Sequence, residues 1–301
     1  IPYEKIVSHR ENALVHGFIQ GFYFDVTTSE ATIPGTYQGL IHLSFDGKEA
    51  LVPLQVKVWD FAISSKPSIS SYWGMFNRNE WSSQEMDASD EMAGVYLDTM
   101  LRFRMNCELP FSGVGGPSAY AQLVKKYYDV PNFSSYRFYY EYDETVYHNI
   151  NVKFNGLLLE QYLEAVAELS ATDEVNYLDK AFFYFLSIID EPSTDEQYQE
   201  ILRVSQAVAL VLANADEYLS GRLSSGLHYA YYAKTIRPTL LAIPDLLTDL
   251  KIATPSYVEK LGVTNMTYCV SEALLDSSEH RQVFADVKHW FYSANNPVKD
   301  R

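Results

Sequence analysis

Two patterns of apolar and polar positions divide the chain near residue 62. From residue 17 to residue 61, apolar and polar residues alternate in short runs. A period of two is typical of antiparallel strands that have one buried face. An Asp-Gly pair between two such runs favours a two-residue hairpin turn, because both central positions of a type I′ turn need a positive φ. We therefore predict a hairpin whose turn is Asp46-Gly47.

We interpret residues 1–62 as the C-terminal part of a β-sandwich domain. Two or three strands cannot form a stable sandwich alone, so the rest of this domain is expected upstream of Ile1. The first residues, IPYEKIVSHR, lack an initiator Met and do not resemble a signal peptide. We expect the chain to be part of a longer polypeptide. Its location, whether secreted, on a bacterial cell surface or cytoplasmic, is left open.

After residue 62, short apolar runs alternate with longer segments of helical period. This pattern is typical of βα units and a parallel sheet, which is the α/β fold class. We predict that residues 63–301 form a (β/α)8-type TIM barrel with its helices outside. The candidate strands are Ser68–Phe76, Arg102–Leu109, Ala181–Asp190 and Leu227–Ala233, and the candidate helices are Leu157–Leu169 and Gln197–Leu212.

The segment AFFYFLSIIDEPSTDEQYQEIL, residues 181–202, carries the candidate chemistry. Its continuous apolar run predicts a parallel strand that is covered on both faces, and ligands bind beyond the carboxyl ends of such strands. Asp190 and Glu191 stand at that end. Pro192 keeps Glu191 in an extended conformation. Ser193 and Glu196 match a capping box that would start the next helix.

Adjacent carboxylates at a partly desolvated barrel mouth would have pKa values that are pushed apart. One would then be a proton donor and the other an anion, as glycoside cleavage requires. Neighbouring residues of a regular strand point to opposite faces, so a shared site requires the strand to twist or break at its end. The alternative is that Asp190 and Glu191 form a solvated loop pair or pair with nearby Arg residues.

Composition and charge exclude several classes of function. The formal charge is −16, and such a field repels nucleic-acid backbones and acidic membrane surfaces. The 24 Tyr and 16 Phe suit either sugar-binding surfaces or a Tyr-rich core. Cys107 and Cys269 have no metal-type spacing, and we predict that both are buried thiols. We expect no nucleic-acid partner, and the oligomeric state is left open.

The sequence also gives no reason to expect a cofactor or a metal. It contains no Gly-rich phosphate loop and no HExxH motif, and its seven His residues show no recognisable ligand spacing. No apolar run reaches the length of about 18 to 20 residues that a membrane span needs.

Several short motifs resemble glycoside hydrolase family 123 and its broader relatives, over about nine-tenths of the chain from near Ala31 onward. The likeness supports the fold better than the substrate. The segments that carry it are Ile33–Phe61, which resembles the last sandwich strands, Arg104-Met105-Asn106, Ile189-Asp190-Glu191-Pro192, and Trp290-Phe291-Tyr292 with Pro297.

The resemblance implies a β-N-acetylgalactosaminidase activity that is retaining and substrate-assisted and that needs no cofactor. Glu191 would be the general acid and base, and Asp190 would orient and stabilise the 2-acetamido group of a glycan substrate. Relatives continue through further barrel strands beyond the position of Arg301. The barrel in this chain is therefore expected to be incomplete.

Four further residues are candidates for substrate binding. Asn106, Trp290 and Tyr292 would line the sugar site if their strand ends share a rim with Asp190. The alternative places the two aromatic residues in the core and Asn106 in a turn. His228 is either a substrate ligand or a hydrogen-bonded packing residue.

Two other functions are compatible with the sequence. The protein could be a non-catalytic relative that binds glycans. It could also be a glycosidase of other sugar specificity with a conventional carboxylate nucleophile, for which Glu108, Glu141 and Asp143 are candidates.

Overall fold

The computed structural model describes residues 24–45, 47–64, 67–73, 89–111, 115–138, 155–184, 192, 194–248, 266–271, 278, 281–282 and 289–292. The chain divides into two compact units, Ile1–Ser64 and Ser65–Arg301. This division lies two residues beyond the change of sequence pattern at residue 62.

The first unit contains an antiparallel hairpin of β1 (Gly35–Phe45) and β2 (Lys48–Val58). Phe45 pairs with Lys48, so the turn consists of residues 46 and 47, and Gly47 has a φ of +70°. The predicted hairpin is confirmed, although Asp46 itself lies outside the described residues. Large apolar side chains on the hairpin, such as Leu40 and Leu51, are more than half exposed. The assignment to a β-sandwich stays a prediction.

The second unit alternates helices with short strands. In chain order the elements are α1 (Asp90–Arg102), α2 (Gly116–Tyr128), β3 (Tyr136–Arg137), α3 (Gly156–Asp173), a 3-10 turn (Tyr177–Lys180), β4 (Ala181–Tyr184), α4 (Asp195–Leu223), the helical turns Tyr229–Tyr231, Tyr232–Ile236 and Arg237–Leu240, β5 (Asp245–Thr248), β6 (Met266–Ser271) and β7 (His289–Tyr292).

All pairings in the sheet of the second unit are parallel. The strand order is β3-β4-β5-β6-β7, which is also the order of the strands along the chain. An isolated parallel bridge joins Trp73 to Cys107 earlier in the chain. The unit is therefore α/β with a parallel sheet, as the alternating pattern predicted. The hydrogen bonds among the described strands do not close into a barrel.

The two predicted helices are confirmed, and both extend beyond their predicted ends. The predicted helix at 157–169 is α3, which begins after the N-cap Asn155 and buries a stripe that includes Leu159, Leu163 and Val166. The predicted helix at 197–212 is the first part of α4. Stripes of this period bury one face of each helix in the core.

Tyrosines fill much of the core between these helices and the sheet. The ring of Tyr120 is packed against Phe111, Tyr136, Phe138 and Tyr162, with centroid distances of 5.1 to 6.5 Å. Other fully or nearly buried tyrosines are Tyr127, Tyr177, Tyr198 and Tyr232. A Tyr-rich core thus accounts for a large part of the aromatic composition.

The predicted strand Leu227–Ala233 is wrong, because this segment belongs to the helical turns between residues 229 and 240. Tyr232, Ile236 and Leu240 are all buried, and their spacing of four residues is helical. The aromatic run at 229–232 taken alone has the composition of a strand. The apolar positions that follow it, at intervals of four residues, indicate a helix.

The first two predicted strands are only partly present. Helix α1 runs to Arg102, and Arg104 has a φ of +64°, so an extended chain cannot begin at residue 102. Among the described residues of this region, the strand pairing is limited to the Trp73–Cys107 bridge. Residues 74–76 of the predicted strand Ser68–Phe76 lie outside the described residues.

Two other expectations concern the cysteines and membrane spans. Cys107 and Cys269 are free, buried thiols, as predicted. Among the helices that the structure describes, none combines the length and the apolar character needed to cross a membrane.

Candidate functional site

Strand β4 leads toward the candidate acids Asp190 and Glu191. It has parallel neighbours on both sides, β3 and β5. Ala181, Phe182 and Phe183 are all nearly inaccessible to solvent, so the prediction of a strand covered on both faces is confirmed for this stretch. Residues 185–191 lie outside the described residues, and the catalytic role of the two acids stays a prediction.

The chain that follows the two acids is held against helix α4. The hydroxyl of Tyr198 donates a hydrogen bond of 3.1 Å to the carbonyl oxygen of Pro192. The capping box of α4 is formed by Thr194 and Gln197, one residue later than the predicted Ser193 and Glu196. Only one residue separates Pro192 from the N-cap, so the connection between the acids and α4 is short.

A polar cluster joins three separate segments of the second unit. Tyr72 donates a hydrogen bond of 3.1 Å from its hydroxyl to Oε1 of Glu108, and the Arg137 guanidinium forms an ion pair with the same oxygen. We call these three residues the Glu108 cluster. Tyr120 supports it from the core, since its hydroxyl donates a 2.8 Å hydrogen bond to the backbone carbonyl of Arg137.

The Glu108 cluster is partly accessible to solvent. The side chains of Glu108 and Arg137 are 30% and 26% exposed, although Asn106, Cys107 and Tyr136 beside them are fully buried. Burial raises the pKa of the Tyr72 hydroxyl well above its usual range, and the negative charge of Glu108 raises it further. Tyr72 therefore stays protonated at neutral pH and acts as a hydrogen-bond donor.

Aromatic rings continue the same face of the sheet. Arg137 pairs with Phe182 across β3 and β4, so both side chains project from one face. The Phe182 ring contacts Tyr72 edge to face at 4.9 Å and Trp290 at 5.2 Å. In a flat sheet, strands three positions apart would be about 14 Å from each other. The contact between Phe182 on β4 and Trp290 on β7 therefore shows that the sheet curves toward this face.

The side chain of Asn106 is surrounded by backbone groups of neighbouring segments. Its side chain is fully buried, and its amide nitrogen donates bonds of 2.7 Å to the backbone carbonyls of Ser71 and Ser135. These bonds tie together three segments that precede the Glu108 cluster. Its Oδ1 has no hydrogen-bond partner among the described residues. A contact between Asn106 and substrate stays a prediction.

His228 lies in a helical context and not at the start of a strand. It is the N-cap of the turn Tyr229–Tyr231, and its backbone carbonyl accepts a 3.0 Å hydrogen bond from the amide of Tyr232. Its buried Nδ1 has no hydrogen-bond partner among the residues that the structure describes. The structure does not place His228 at the Glu108 cluster.

The candidates Trp290 and Tyr292 lie on β7, the last strand of the sheet. Trp290 of β7 faces Phe182 and is half-buried, so it shares a face with the Glu108 cluster. Tyr292 belongs to the same strand and pairs with Ser271. Glu141 and Asp143, two of the alternative nucleophiles, lie outside the described residues. Glu108, the third, is the acid at the centre of the cluster.

Sequence reasoning missed Tyr72, Arg137 and Phe182 as members of one site. Arg137 carried a signal that was available, because it is a single basic residue inside the aromatic run Tyr136–Tyr140. A charged residue within such a run is expensive to bury unless a partner of opposite charge faces it. Identifying Glu108 as that partner requires the tertiary structure.

The described part of the chain contains no group of three or more side chains that could hold a metal ion. A comparison with models of known protein families gives no match, and neither does a comparison with curated proteins.

Proposed function

We propose that the protein is a glycoside hydrolase that cleaves β-linked 2-acetamido sugars with retention of configuration. Glu191 protonates the glycosidic oxygen while the carbonyl oxygen of the 2-acetamido group attacks the anomeric carbon and displaces the leaving group. Asp190 stabilises the positive charge of the cyclic intermediate. Glu191 then removes a proton from the water molecule that opens this intermediate. No cofactor takes part.

The observation that carries this proposal is the position of β4. It lies between two parallel neighbours, and the chain that continues from it contains Asp190 and Glu191. Ligands of parallel sheets bind beyond the carboxyl ends of the strands. The bond from Tyr198 to Pro192 and the capping box at Thr194 also support a short, well-anchored connection after the acids.

We further propose that the second unit is part of a (β/α)8-type barrel. Sequential parallel strand order is the order of such barrels. The convergence of Tyr72, Phe182 and Trp290 on one face also favours this fold, because inward-pointing side chains fill the interior of a barrel.

The chemistry of that face suits a sugar. Trp290 is half-buried and supplies an apolar ring that matches the C–H face of a pyranose, while the buried Phe182 ring packs against it. Glu108 and Arg137 supply a few polar groups on the same face, and this combination is typical of small-molecule sites.

Hydrolysis of an aryl 2-acetamido-β-galactoside tests the proposal. We expect the protein to cleave it, and we expect Glu191→Gln and Asp190→Asn each to lower kcat by about 10²- to 10⁴-fold. Glu196→Gln is the matched control, because Glu196 is an exposed acid in the first turn of α4, and it should leave kcat unchanged. Full activity in both acid variants would contradict the assignment. Binding of glycans without cleavage would favour the non-catalytic relative.

A second candidate is a glycosidase of other sugar specificity in which Glu108 is the nucleophile. The observation that favours it is the geometry of Glu108, which Tyr72 and Arg137 hold through a single carboxylate oxygen. Aryl glycosides without the acetamido group distinguish the two candidates. Substrate assistance requires that group, so their rapid hydrolysis would support the Glu108 mechanism.

A further inference from the structure

Among the residues that the structure describes, the bonds to the Glu108 carboxylate all go to one of its two oxygens. Both the Tyr72 hydroxyl and the Arg137 guanidinium bond to Oε1. Oε2 accepts no hydrogen bond from the described residues, and the side chain is 30% exposed. Within the described part of the chain, the result is an oriented carboxylate with one acceptor oxygen available.

The ion pair between Asp216 and Arg237 in the same unit differs in this respect. Asp216 accepts from Tyr232 at Oδ1 and from Arg237 at Oδ2, so both of its oxygens are bonded. Its contacts tie the helical turns at 229–240 to α4. Such a pair needs no ligand to complete its hydrogen bonds, whereas Glu108 Oε2 has capacity for one.

We propose that the Glu108 cluster is a subsite that binds one hydroxyl group of a sugar ring, with Glu108 Oε2 as the acceptor. The identity of the sugar rests on the proposed function, but the subsite itself does not require catalysis. Tyr72 and Arg137 are positioning residues that fix the carboxylate. The half-buried Trp290 ring, which packs against the buried Phe182, would take the apolar face of the same sugar.

A hydroxyl is the ligand group that fits this acceptor best. Sugar hydroxyls donate one hydrogen bond each, and a bond to an ionised carboxylate is about twice as strong as a neutral one. An anionic ligand group would be repelled by Glu108. A cation would need more oxygen ligands than the described residues bring together at this place.

Calorimetric titration of the Glu191→Gln protein with N-acetylgalactosamine and its monodeoxy analogues tests the subsite. The free sugar has no glycosidic bond to cleave and this variant keeps Glu108, so binding is measured independently of hydrolysis. We expect one deoxy analogue to bind about 10- to 100-fold more weakly than the parent sugar, the size of a lost hydrogen bond to a charged group. If no single hydroxyl stands out, the subsite is wrong, and the same holds if the folded protein binds none of these sugars.

Adding Glu108→Gln to that protein identifies the acceptor. Binding of the parent sugar should weaken by a similar factor, and the sensitive deoxy analogue should bind equally to both proteins. Tyr72→Phe is the milder companion, because it keeps the ring and removes only the hydroxyl, and we expect a smaller loss. Glu168→Gln, which breaks the Glu168–Arg222 pair at a side chain that is 34% exposed, is the matched control and should not change binding.

The outcomes separate this subsite from the proposed function. Sugar binding that depends on Glu108, without hydrolysis by the unaltered protein, would keep the subsite and reject the hydrolase. Hydrolysis with sugar binding that is insensitive to Glu108→Gln would do the reverse. Unchanged sugar affinity in Glu108→Gln, together with loss of nearly all turnover when Glu191 is intact, would assign Glu108 to the chemical step and overturn the hydroxyl-binding role.

Discussion

At the scale of single residues, Asp245 is a carboxyl group enclosed at the start of β5. Its side chain is 3% exposed, and its Oδ1 has no hydrogen-bond partner among the described residues. It pairs with Phe183 on β4 and Met266 on β6. Burial raises its pKa to about 8, because the charged form loses its hydration.

We predict that Asp245 makes the unfolding free energy depend on pH. Its folded-state pKa lies above the unfolded value of about 3.9, so the folded protein binds more protons between those two pKa values. Stability should therefore fall as the pH rises from about 4 to about 8, with each unit of pKa difference worth about 1.4 kcal/mol. Asp245→Asn should remove this slope.

Urea denaturation at several pH values measures the effect. The difference in unfolding free energy between the original protein and Asp245→Asn should change by several kcal/mol, on the order of the pKa difference, across this range. Asp129→Asn, at an exposed position after α2, should keep the original slope. Parallel curves for the original protein and Asp245→Asn would refute the prediction.

The two thiols allow a second residue-scale prediction. Burial raises the pKa of Cys107 to about 11 and that of Cys269 to about 12. Since the thiolate is the reactive form, neither should react with Ellman's reagent at pH 8 in the folded protein. Both should react in guanidinium chloride. Rapid labelling of one thiol without denaturant would show that its surroundings open readily.

At the scale of elements, the capping box at Thr194 fixes the start of α4. We predict that Thr194→Ala lowers the free energy of unfolding by about 1 kcal/mol, because the amide of Gln197 loses its acceptor. Thr172→Ala is the matched control. Thr172 is exposed in the last turn of α3, and its hydroxyl donates to the carbonyl of Glu168 within the same helix, so its removal should be close to neutral. Chemical denaturation compares the two variants, and equal losses would contradict the capping role.

Helices α3 and α4 could be predicted from sequence, because each contains a regular stripe of apolar residues that packing then buries. The segment at 227–233 could not, since its aromatic run has strand character and its helical spacing continues to Leu240. The shift from Ser193 to Thr194 as N-cap has a similar cause. Both residues are good caps in a sequence, and only the backbone conformation selects one of them.

At the scale of the molecule, the change from alternating to helical pattern correctly predicted an α/β unit with a parallel sheet. The curvature of the sheet could not be predicted, because it depends on which side chains meet across several strands. The Glu108 cluster could not be predicted for the same reason. Its members lie 36 and 29 residues apart along the chain, and no local motif connects them.

The identical order of strands in chain and sheet has a consequence for biosynthesis. Each described strand joins the edge left by its predecessor, and none of these strands has to insert between two that are already paired. Ribosomes release about 5 to 20 residues per second, so the sheet can grow at one edge as the polypeptide emerges. Tyr184 and Asp245 are separated by 61 positions, and for that interval the outer edge of β4 lacks its neighbour. An unpaired edge can pair with other chains. Nascent copies are therefore most prone to aggregate while this segment is being translated.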